Sequence, residues 1–339
     1  MRVDSRYART IERRPSWRAV ALNALLRVTM RKRLTHDADV VALRRQYEKL
    51  DARRFRRDPA VVRAPVNCGA VPAEWVTVPE THSERIVLYL HGGSFAFRFP
   101  HAHAALAARL CRRLGARALI PDYRLAPEDP FPAGPDDCEA AYRWLLDQGF
   151  AASDIVVVGD SAGGNLALVT LQRARAAGLP LPACTVLLSP ALDCTMSSPS
   201  MAAYDGRDPM LQLANLLVLR QFYVGSPHDY TNPEVSPLFA DFRGFPPLFL
   251  QVGAEELLRD EATRAAEKAH QAGVDVELEL WPGVAHVFQI ADFLPEATHA
   301  INNIARFVRL RAGWDDVRPG SPLRSPRPTP ASPLPDAAD

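Results

Sequence analysis

A serine in a glycine-rich turn is the residue of this 339-residue sequence best suited to covalent chemistry. The strand-like run Ile155 to Val158 leads directly into Gly159 to Gly164 (GDSAGG), which contains Ser161, and a helical pattern begins at Asn165. A strand that turns abruptly into a helix holds its serine in a strained conformation, which small neighbours permit. The serine also lies at a helix N-terminus, where free N–H groups favour developing negative charge. This context predicts a nucleophilic serine.

Two glycines earlier in the chain are candidates for stabilising an oxyanion. The strand candidate Ile86 to Leu90 ends at His91, and Gly92 and Gly93 follow. Consecutive glycines after a strand let the backbone approach a ligand closely. We therefore expect the N–H groups of Gly92 and Gly93, with that of Ala162, to form an oxyanion hole. His91 is interpreted as structural, because the base of such a site follows the nucleophile in the chain.

The catalytic base is therefore expected near the C-terminus. Val276 to Trp281 is predicted to be a strand, and the loop after it carries His286. His270 lies inside a helical pattern beside charged residues, and His299 lies early in the last helix, so both fit surface positions better. We predict that His286 accepts the proton of Ser161 and returns it to the departing alcohol.

An acid that orients the histidine should lie between serine and histidine in chain order. The strand candidate Leu248 to Val252 is followed by Glu255, Glu256 and Asp260. Asp260 also suits the N-cap or first turn of the next helix, and Glu255 also suits a solvated loop. The spacing by itself does not choose among the three carboxylates.

Short β-branched runs alternate with helical stretches from residue 75 to about 310. This alternation is typical of a mainly parallel sheet covered by helices on both faces. The strand candidates are Ile86 to Leu90, Ala118 to Ile120, Ile155 to Val158, Thr185 to Leu188, Leu248 to Val252 and Val276 to Leu280. The helix candidates are Ala102 to Leu114, Asp136 to Gln148, Asn165 to Ala177, Asp260 to Gln271 and Pro295 to Arg311. The sequence therefore predicts an α/β fold.

Two segments interrupt the alternation and are predicted to form a helical cap. Residues 1–60 resemble helices without strands, and residues 196–245 resemble an insertion with one helix, Leu211 to Tyr223. The α/β core is thereby divided into residues 61–195 and residues 246–315. The second part of the core carries the candidate acid and histidine.

The composition excludes several classes of protein. With 47% hydrophobic residues the chain can bury a core, although residues 316–339 are rich in Pro and Ser and are expected to be disordered. No apolar stretch approaches the roughly twenty residues of a spanning helix, so no stable membrane insertion is expected. The five cysteines are scattered and never spaced as C-x-x-C, which predicts neither a disulfide framework nor a metal site. A reducing, cytoplasmic setting follows.

A net charge of +1 hides a basic N-terminal segment. Its positive residues alternate with apolar ones, so we interpret them as a solvated helix face and expect no nucleic-acid partner. Arg13 and Arg14 before Ala19 to Leu26 resemble a twin-arginine export signal, but Arg27 and Arg31 follow where a cleavage site should lie. An amphipathic helix is favoured, with docking on an anionic membrane as the alternative.

Together these residues resemble the hormone-sensitive-lipase-like esterases, also called family IV or the α/β-hydrolase-3 group. Four motifs carry the resemblance in order: His91 to Ser94 (HGGS), Asp122 to Glu128 (DYRLAPE), Gly159 to Gly164 (GDSAGG) and Glu256 to Glu261 (ELLRDE). The resemblance spans roughly residues 65 to 312. It implies the α/β-hydrolase fold, with a central, mostly parallel eight-stranded sheet, helices on both faces and a helical cap.

The resemblance also assigns roles to residues. It implies that the acid is Glu256, where most members carry aspartate, and that the base is His286, although Val287 replaces a common glycine. Asp160 is expected to fix the turn instead of reacting. The expected walls of the substrate pocket are Phe95, Met210, Leu211, Phe222, Tyr223 and Val287. The family implies activity on short to medium acyl chains, no cofactor and frequently a homodimer.

We therefore predict a serine carboxylesterase that hydrolyses a small-molecule ester through an acyl-enzyme intermediate, with Ser161, His286 and Glu256 as its triad. Amides, carbamates or lactones are alternative substrates of the same triad. A non-catalytic ligand-binding receptor on the same fold is the rival from another class. Related plant hormone receptors lack the catalytic histidine, which this sequence retains.

Overall fold

The computed structural model describes residues 4–30, 34–35, 37–55 and 58–314. The strands in them are β1 Ala8–Thr10, β2 Val62–Cys68, β3 Val71–Thr77, β4 Ile86–Leu90, β5 Arg117–Pro121, β6 Ile155–Asp160, β7 Cys184–Leu188, β8 Leu248–Gly253 and β9 Val276–Trp281. They form one nine-stranded sheet in the order β1-β9-β8-β7-β6-β4-β5-β3-β2. β3 pairs antiparallel with β2 and with β5, and the other neighbours run parallel.

Helices cover both faces of this sheet. The helices among the described residues are α1 Trp17–Thr29, α2 Val40–Arg54, α3 Pro100–Leu114, α4 Ala133–Asp147, α5 Ala162–Ala176, α6 Pro199–Tyr204, α7 Leu213–Tyr223, α8 Arg259–Gln271 and α9 Pro295–Ala312. One hydrophobic core lies under α4, α5 and α8, and a second lies under α3 and α9 on the other face. The predicted α/β architecture is confirmed.

The central strands are apolar on both faces, as buried parallel strands are. In β4, Ile86, Leu88 and Leu90 belong to the core under α4, α5 and α8, whereas Val87 and Tyr89 belong to the core under α3 and α9. Successive side chains of a strand point to opposite faces, so all five are buried. The sheet is therefore a rigid platform for the loops at the ends of its strands.

The number of strands differs from the prediction of eight. The additional strand is β1, in a segment predicted to hold helices without strands, and it pairs parallel with Leu278 to Leu280 at the edge of the sheet. Three residues are too few for an alternating pattern to be detected. The antiparallel pair of β2 and β3 also lacks a clear strand pattern, because Pro65 and Pro72 lie in it.

The predicted helices are present, with starts that differ by up to three residues. Gly115, Gly178 and Gly273 follow α3, α5 and α8 with φ angles of 61°, 68° and 79°. These left-handed conformations end the helices as predicted, because glycine adopts them without the clash of a Cβ atom. The predicted disordered tail, residues 316–339, lies outside the described residues.

Helices from both predicted cap segments meet above the sheet. Val40 of α2 and Leu219 of α7 pack with Ala96 and Phe97, which follow β4. The insertion also contains α6, a six-residue helix that the sequence pattern did not indicate. Nowhere in the described ranges is a helix long and apolar enough to cross a membrane.

Candidate active site

Ser161 joins β6 to α5 in the strained turn that the sequence predicts. Its φ of 52° and ψ of −120° lie in a region that residues with a Cβ atom rarely adopt. The turn is held because its N–H donates to the Leu188 carbonyl at 2.8 Å and its carbonyl accepts from Ala191 at 3.0 Å. A Cβ atom on Gly163 would lie 1.9 Å from the Leu90 carbonyl oxygen. Only glycine therefore lets β4 and the turn approach this closely.

The loop of residues 91–97, here called the oxyanion loop, lies against this serine. A Cβ atom on Gly92 would lie 3.0 Å from Ser161 Cβ and 2.3 Å from Asp160 Oδ2. The N–H of Gly92, however, already donates to Asp160 Oδ1 at 3.1 Å. The prediction that Gly92 supplies an oxyanion donor therefore does not fit the structure, because that hydrogen points at a carboxylate.

Three other backbone N–H groups are available beside Ser161. Within the described part of the chain, the N–H groups of Gly93, Ser94 and Ala162 make no hydrogen bond. Gly93 and Ser94 adopt positive φ angles of 121° and 54°, which set the backbone direction after Gly92. Ala162 begins α5, where the first N–H groups of a helix lack acceptors within it.

The Asp160 carboxylate holds the oxyanion loop through its hydrogen bond with Gly92. Its Oδ1 atom also accepts the Tyr89 hydroxyl at 2.7 Å, and His103 Nε2 lies 3.7 Å from Oδ2. Burial acts to raise the pKa of Asp160, but His103 and the Tyr89 hydrogen bond together hold that pKa below its ordinary value. A buried carboxylate of this kind positions the N–H and O–H groups around it, as predicted for Asp160.

His91 supports the same loop and has a low basicity. Its ring stacks on Tyr123 at a centroid distance of 4.2 Å and on His103 at 5.2 Å, and its carbonyl accepts the Tyr123 hydroxyl at 2.7 Å. Burial, assisted by the neighbouring His103, lowers the pKa of His91 to about 4. These contacts agree with the structural role that chain order predicts.

His286 and Glu256 form a buried pair at the ends of β9 and β8. The Nδ1 atom of His286 lies 2.9 Å from Glu256 Oε2, and Glu256 is fully buried. The other carboxylate oxygen accepts the N–H of Gly253 at 2.6 Å and the hydroxyl of Ser189 at 2.8 Å. Glu256 is thus fixed through one oxygen and contacts the imidazole with the other.

The competing residues have other partners. Glu255 accepts the N–H of Gly283 at 2.9 Å, and Asp260 forms an ion pair with Arg259 at 2.8 Å. His270 packs against an aromatic ring near the N-terminus, and His299 lies edge-on to a tryptophan. The structure therefore brings Glu256, and not Glu255 or Asp260, to His286.

The basicity of His286 reflects two opposing effects. Burial acts to lower its pKa, whereas the hydrogen bond to Glu256 and the charges of Glu256, Asp208 and Asp160 act to raise it. The second group of effects is larger, so the pKa of His286 lies above its ordinary value. A more basic imidazole is a stronger proton acceptor for a serine hydroxyl.

Ser189 is a site residue for which the sequence gives no signal. It follows β7 with a φ of 46°, and its hydroxyl contacts both Glu256 and the N–H of Val287, the latter at 3.3 Å. One side chain therefore connects the acid with the residue after His286. A lone serine after a strand has no motif around it, so only the folded structure identifies it.

The predicted pocket residues pack in several different clusters. Phe95 stacks on Tyr223 with a centroid distance of 3.6 Å and an interplanar angle of 4°. Phe222 packs against the cluster that joins α2 and α7. Leu211 packs in the cluster of Leu257 and Leu258, and the N–H groups of Met210 and Leu211 donate to Asp208. That these residues line the substrate pocket stays a prediction.

Val287 adopts a left-handed backbone with a φ of 48°, immediately after His286. Glycine would adopt this conformation with less strain, which accounts for the glycine that the family often carries there. The valine side chain is buried, next in the chain to His286. That Val287 forms a wall of the substrate pocket stays a prediction.

The candidate triad is nearly closed to solvent. Ser161 and His286 are 8% and 7% exposed.

A surface cavity of about 480 Å³ lies elsewhere, between β1 and α9, and its charged lining includes Arg9, Arg13 and Arg306. We assign no chemistry to that cavity, because Arg9 and Arg306 are paired with glutamates. Among the described residues, no group of His, Cys, Asp and Glu could hold a metal ion.

Comparisons with known proteins agree with this geometry. A family model described as alpha/beta hydrolase fold matches residues 87–290. An acetyl-hydrolase from Streptomyces hygroscopicus is 40% identical over 249 residues, covering 73% of this chain and 83% of that protein. An esterase from Acinetobacter venetianus is 34% identical over 292 residues, covering 86% of this chain and 96% of that protein. A solved esterase structure from the bacterial hormone-sensitive lipase family has a TM-score of 0.82 and 37% identity, covering 89% of this chain and 100% of that chain.

Proposed function

The chain belongs to the α/β hydrolase fold family and is a carboxylic ester hydrolase of the hormone-sensitive-lipase-like group, and from this premise we propose that Ser161 is its nucleophile. The observation that carries the proposal is the buried contact of 2.9 Å between His286 and Glu256, at the sheet edge where the strained Ser161 lies. A serine, an acid and a base in this chain order are the parts that acyl transfer needs.

In the first half of the reaction, the Ser161 oxygen attacks the ester carbonyl carbon while His286 accepts the hydroxyl proton. Nδ1 of His286 contacts Glu256, so Nε2 is the atom that receives this proton. The carbonyl oxygen becomes an oxyanion, for which the N–H groups of Gly93, Ser94 and Ala162 are donors. His286 then returns the proton to the departing alcohol as the carbon–oxygen bond breaks.

In the second half, water releases the acid. His286 takes a proton from a water molecule, whose oxygen attacks the acyl carbon of the serine ester. The same N–H groups stabilise the second oxyanion, and the proton returns to Ser161 as the acid leaves. Glu256 keeps its negative charge and stabilises the imidazolium in both halves.

The proposed substrates are esters with short to medium acyl chains. The acetyl-hydrolase relative supports a short acyl group, and the flat stack of Phe95 on Tyr223 limits the space beside the oxyanion loop. The buried Val287 side chain limits it further. A series of p-nitrophenyl acetate, butyrate, octanoate and dodecanoate tests the preference, and we expect kcat/KM to be highest for acetate or butyrate.

The test of the nucleophile is Ser161→Ala. This variant should lose nearly all turnover of p-nitrophenyl butyrate, because no acyl-enzyme can form. A fluorophosphonate probe should label the wild-type protein at Ser161 and leave the variant unlabelled. Ser236→Ala is a matched control, because Ser236 is a buried, hydrogen-bonded serine outside the triad. Retention of most activity in pure Ser161→Ala protein would disprove the assignment.

A further inference from the structure

Helix α1 exposes an apolar face. Trp17, Val20, Leu25 and Val28 are 76%, 58%, 48% and 83% exposed. The exposed apolar residues on this face, here called the α1 stripe, are Trp17, Val20, Ala21, Ala24, Leu25 and Val28. They recur at intervals of three and four residues, so they lie along one side of the helix. An aromatic and three large aliphatic side chains in one exposed row indicate a binding surface.

The opposite face of α1 is anchored to the rest of the protein, and Leu22 packs there. Ala19 packs in the cluster of Ile11, Trp281 and Val284, and the buried Asn23 donates to the Gly283 carbonyl at 3.0 Å. A surface helix normally buries its large apolar residues and exposes its polar ones. Helix α1 departs from this pattern, because it exposes four large apolar side chains while the polar Asn23 is buried and hydrogen-bonded.

Positive charge surrounds the stripe. No Asp or Glu lies between Glu12 and Asp37 in the sequence. Arg13, Arg14, Arg18 and Arg27 are exposed, and among the described residues none of these four arginines forms an ion pair. The Arg18 guanidinium lies 5.6 Å from the centre of the Trp17 ring, at the beginning of the helix.

We propose that α1 lies on the surface of an anionic lipid bilayer, with the stripe at the boundary between headgroups and acyl chains and its arginines at the lipid phosphates. At thirteen residues the helix is too short to cross a bilayer, so it binds in the plane of the surface. Trp17 suits that boundary, because indole has an apolar body and a polar N–H group.

The charges favour a membrane over a second copy of the chain. Two α1 stripes packed together would bring the arginines of both copies close to each other, and such like-charge contacts are destabilising. An anionic bilayer supplies opposite charge to the same arginines along the whole helix. This proposal does not depend on the proposed esterase mechanism.

Co-sedimentation with vesicles tests the proposal. The full chain is mixed with vesicles of phosphatidylcholine alone or of phosphatidylcholine with phosphatidylglycerol, at low and high ionic strength. We expect binding to the phosphatidylglycerol vesicles, and weaker binding at high ionic strength, where the charges are screened. Tryptophan emission should also shift to shorter wavelength on binding, because Trp17 is largely exposed while Trp75, Trp281 and Trp314 are already buried.

Substitutions locate the contact. Trp17→Gln combined with Val28→Gln should lower the vesicle partition coefficient at least about tenfold, because both apolar groups leave the interface. Val62→Gln is the matched control, since Val62 is 60% exposed on β2, at the opposite edge of the sheet. Equal thermal unfolding of all variants confirms that they are folded.

Three results would overturn the proposal. The first is that the wild-type protein does not bind phosphatidylglycerol vesicles, and the second is that the double variant binds them as strongly as the wild type. The third is a wild-type dimer, measured by light scattering, that Trp17→Gln with Val28→Gln dissociates. That third outcome would assign the stripe to contact between copies of the chain.

Discussion

The charge of Glu256 is proposed to set the basicity of His286, so its removal is expected to change both the rate and its pH dependence. The activity of the wild type should fall as pH decreases through the raised pKa of His286, because a protonated imidazole cannot accept the serine proton. Glu256→Gln keeps the size of the side chain but removes its charge. We expect kcat to fall by roughly 10²- to 10⁴-fold and the acid limb of kcat/KM to move to lower pH.

Full pH–rate profiles of the variants measure this effect. Glu255→Gln is the matched control, because Glu255 contacts Gly283 and not the imidazole. Its acid limb should coincide with that of the wild type. If the limb moves in Glu255→Gln and stays in place in Glu256→Gln, the acid of the triad is Glu255.

Ser189 is expected to act as a positioning residue through Glu256. Ser189→Ala removes the hydroxyl that contacts Glu256 and Val287, so the acid loses one of the two donors on its Oε1 atom. We expect kcat to fall about tenfold with little change in KM, because Ser189 is fully buried and acts on Glu256. In a Glu256→Gln background the same change should have almost no further effect, because residues that act as a unit are not additive.

Ser236→Ala separates positioning from stability. It removes a buried serine with two hydrogen bonds away from the triad, so it should lower the free energy of unfolding by about 0.5–1.5 kcal/mol and leave kcat unchanged. A Ser189→Ala enzyme with the kinetics of Ser236→Ala would show that Ser189 serves stability alone.

The sequence predicts the residues that motifs contain and does not predict those that only packing brings together. Local context and chain order predict Ser161 and His286. They leave three carboxylates as candidates for the acid, and the fold brings Glu256 to the histidine. The assignment of Gly92 as an oxyanion donor does not fit the structure because the hydrogen bond to Asp160 is a tertiary contact. Ser189 belongs to no motif, because only tertiary packing brings it to Glu256.

At the scale of elements, the sequence predicts what is long and apolar. Buried strands such as β4 and β6 are continuous apolar runs, and the glycines after α3, α5 and α8 mark where those helices end. The edge strand β1 escapes prediction because its three residues gain their strand conformation from β9 and not from their own pattern. The exposed apolar face of α1 is not predicted either, since the tertiary contacts of Leu22 and Asn23 decide which face is outside.

Several contacts attach helix α2 to the core, and the one made by Arg44 gives a prediction for the cap. Arg44 donates to the carbonyls of Ala96 and Ala126 at 2.7 and 2.6 Å and forms an ion pair with Glu128. Arg44→Gln removes most of these bonds at a largely buried side chain. We expect chymotrypsin to cleave α2 at least about tenfold faster, because local opening becomes easier while the core stays folded.

Arg45→Gln controls for the loss of an arginine in the same helix. Arg45 is exposed, so its replacement should leave the rate of cleavage close to that of the wild type. Mass spectrometry of the fragments locates the cuts, and thermal unfolding reports on the core. Equal cleavage of Arg44→Gln and Arg45→Gln would mean that other contacts hold α2.

At the scale of the whole molecule, a nearly neutral net charge coexists with buried ionisable groups. Glu261 is the clearest case, because its Oε2 atom accepts the N–H groups of both Leu192 and Asp193 while its Oε1 atom has no hydrogen-bond partner. Burial raises the pKa of Glu261 to about 8, and the charge of Asp193 adds to this effect. Protonation at Oε1 leaves both N–H bonds to Oε2 in place and removes the cost of burying a charge.

The stability of the protein should therefore fall as pH rises through the neutral range. The folded state keeps a proton on Glu261 that the unfolded chain releases above the ordinary pKa of 4.5, so folding is favoured most below that value and loses this contribution up to about pH 8. The raised pKa of His286 acts in the same direction above its ordinary value of 6.5. Glu261→Gln keeps a carbonyl oxygen for the N–H groups of Leu192 and Asp193 but cannot ionise. Urea unfolding at acidic and mildly alkaline pH should show that this variant loses less stability than the wild type, by about 2–4 kcal/mol, and identical losses would refute the assignment.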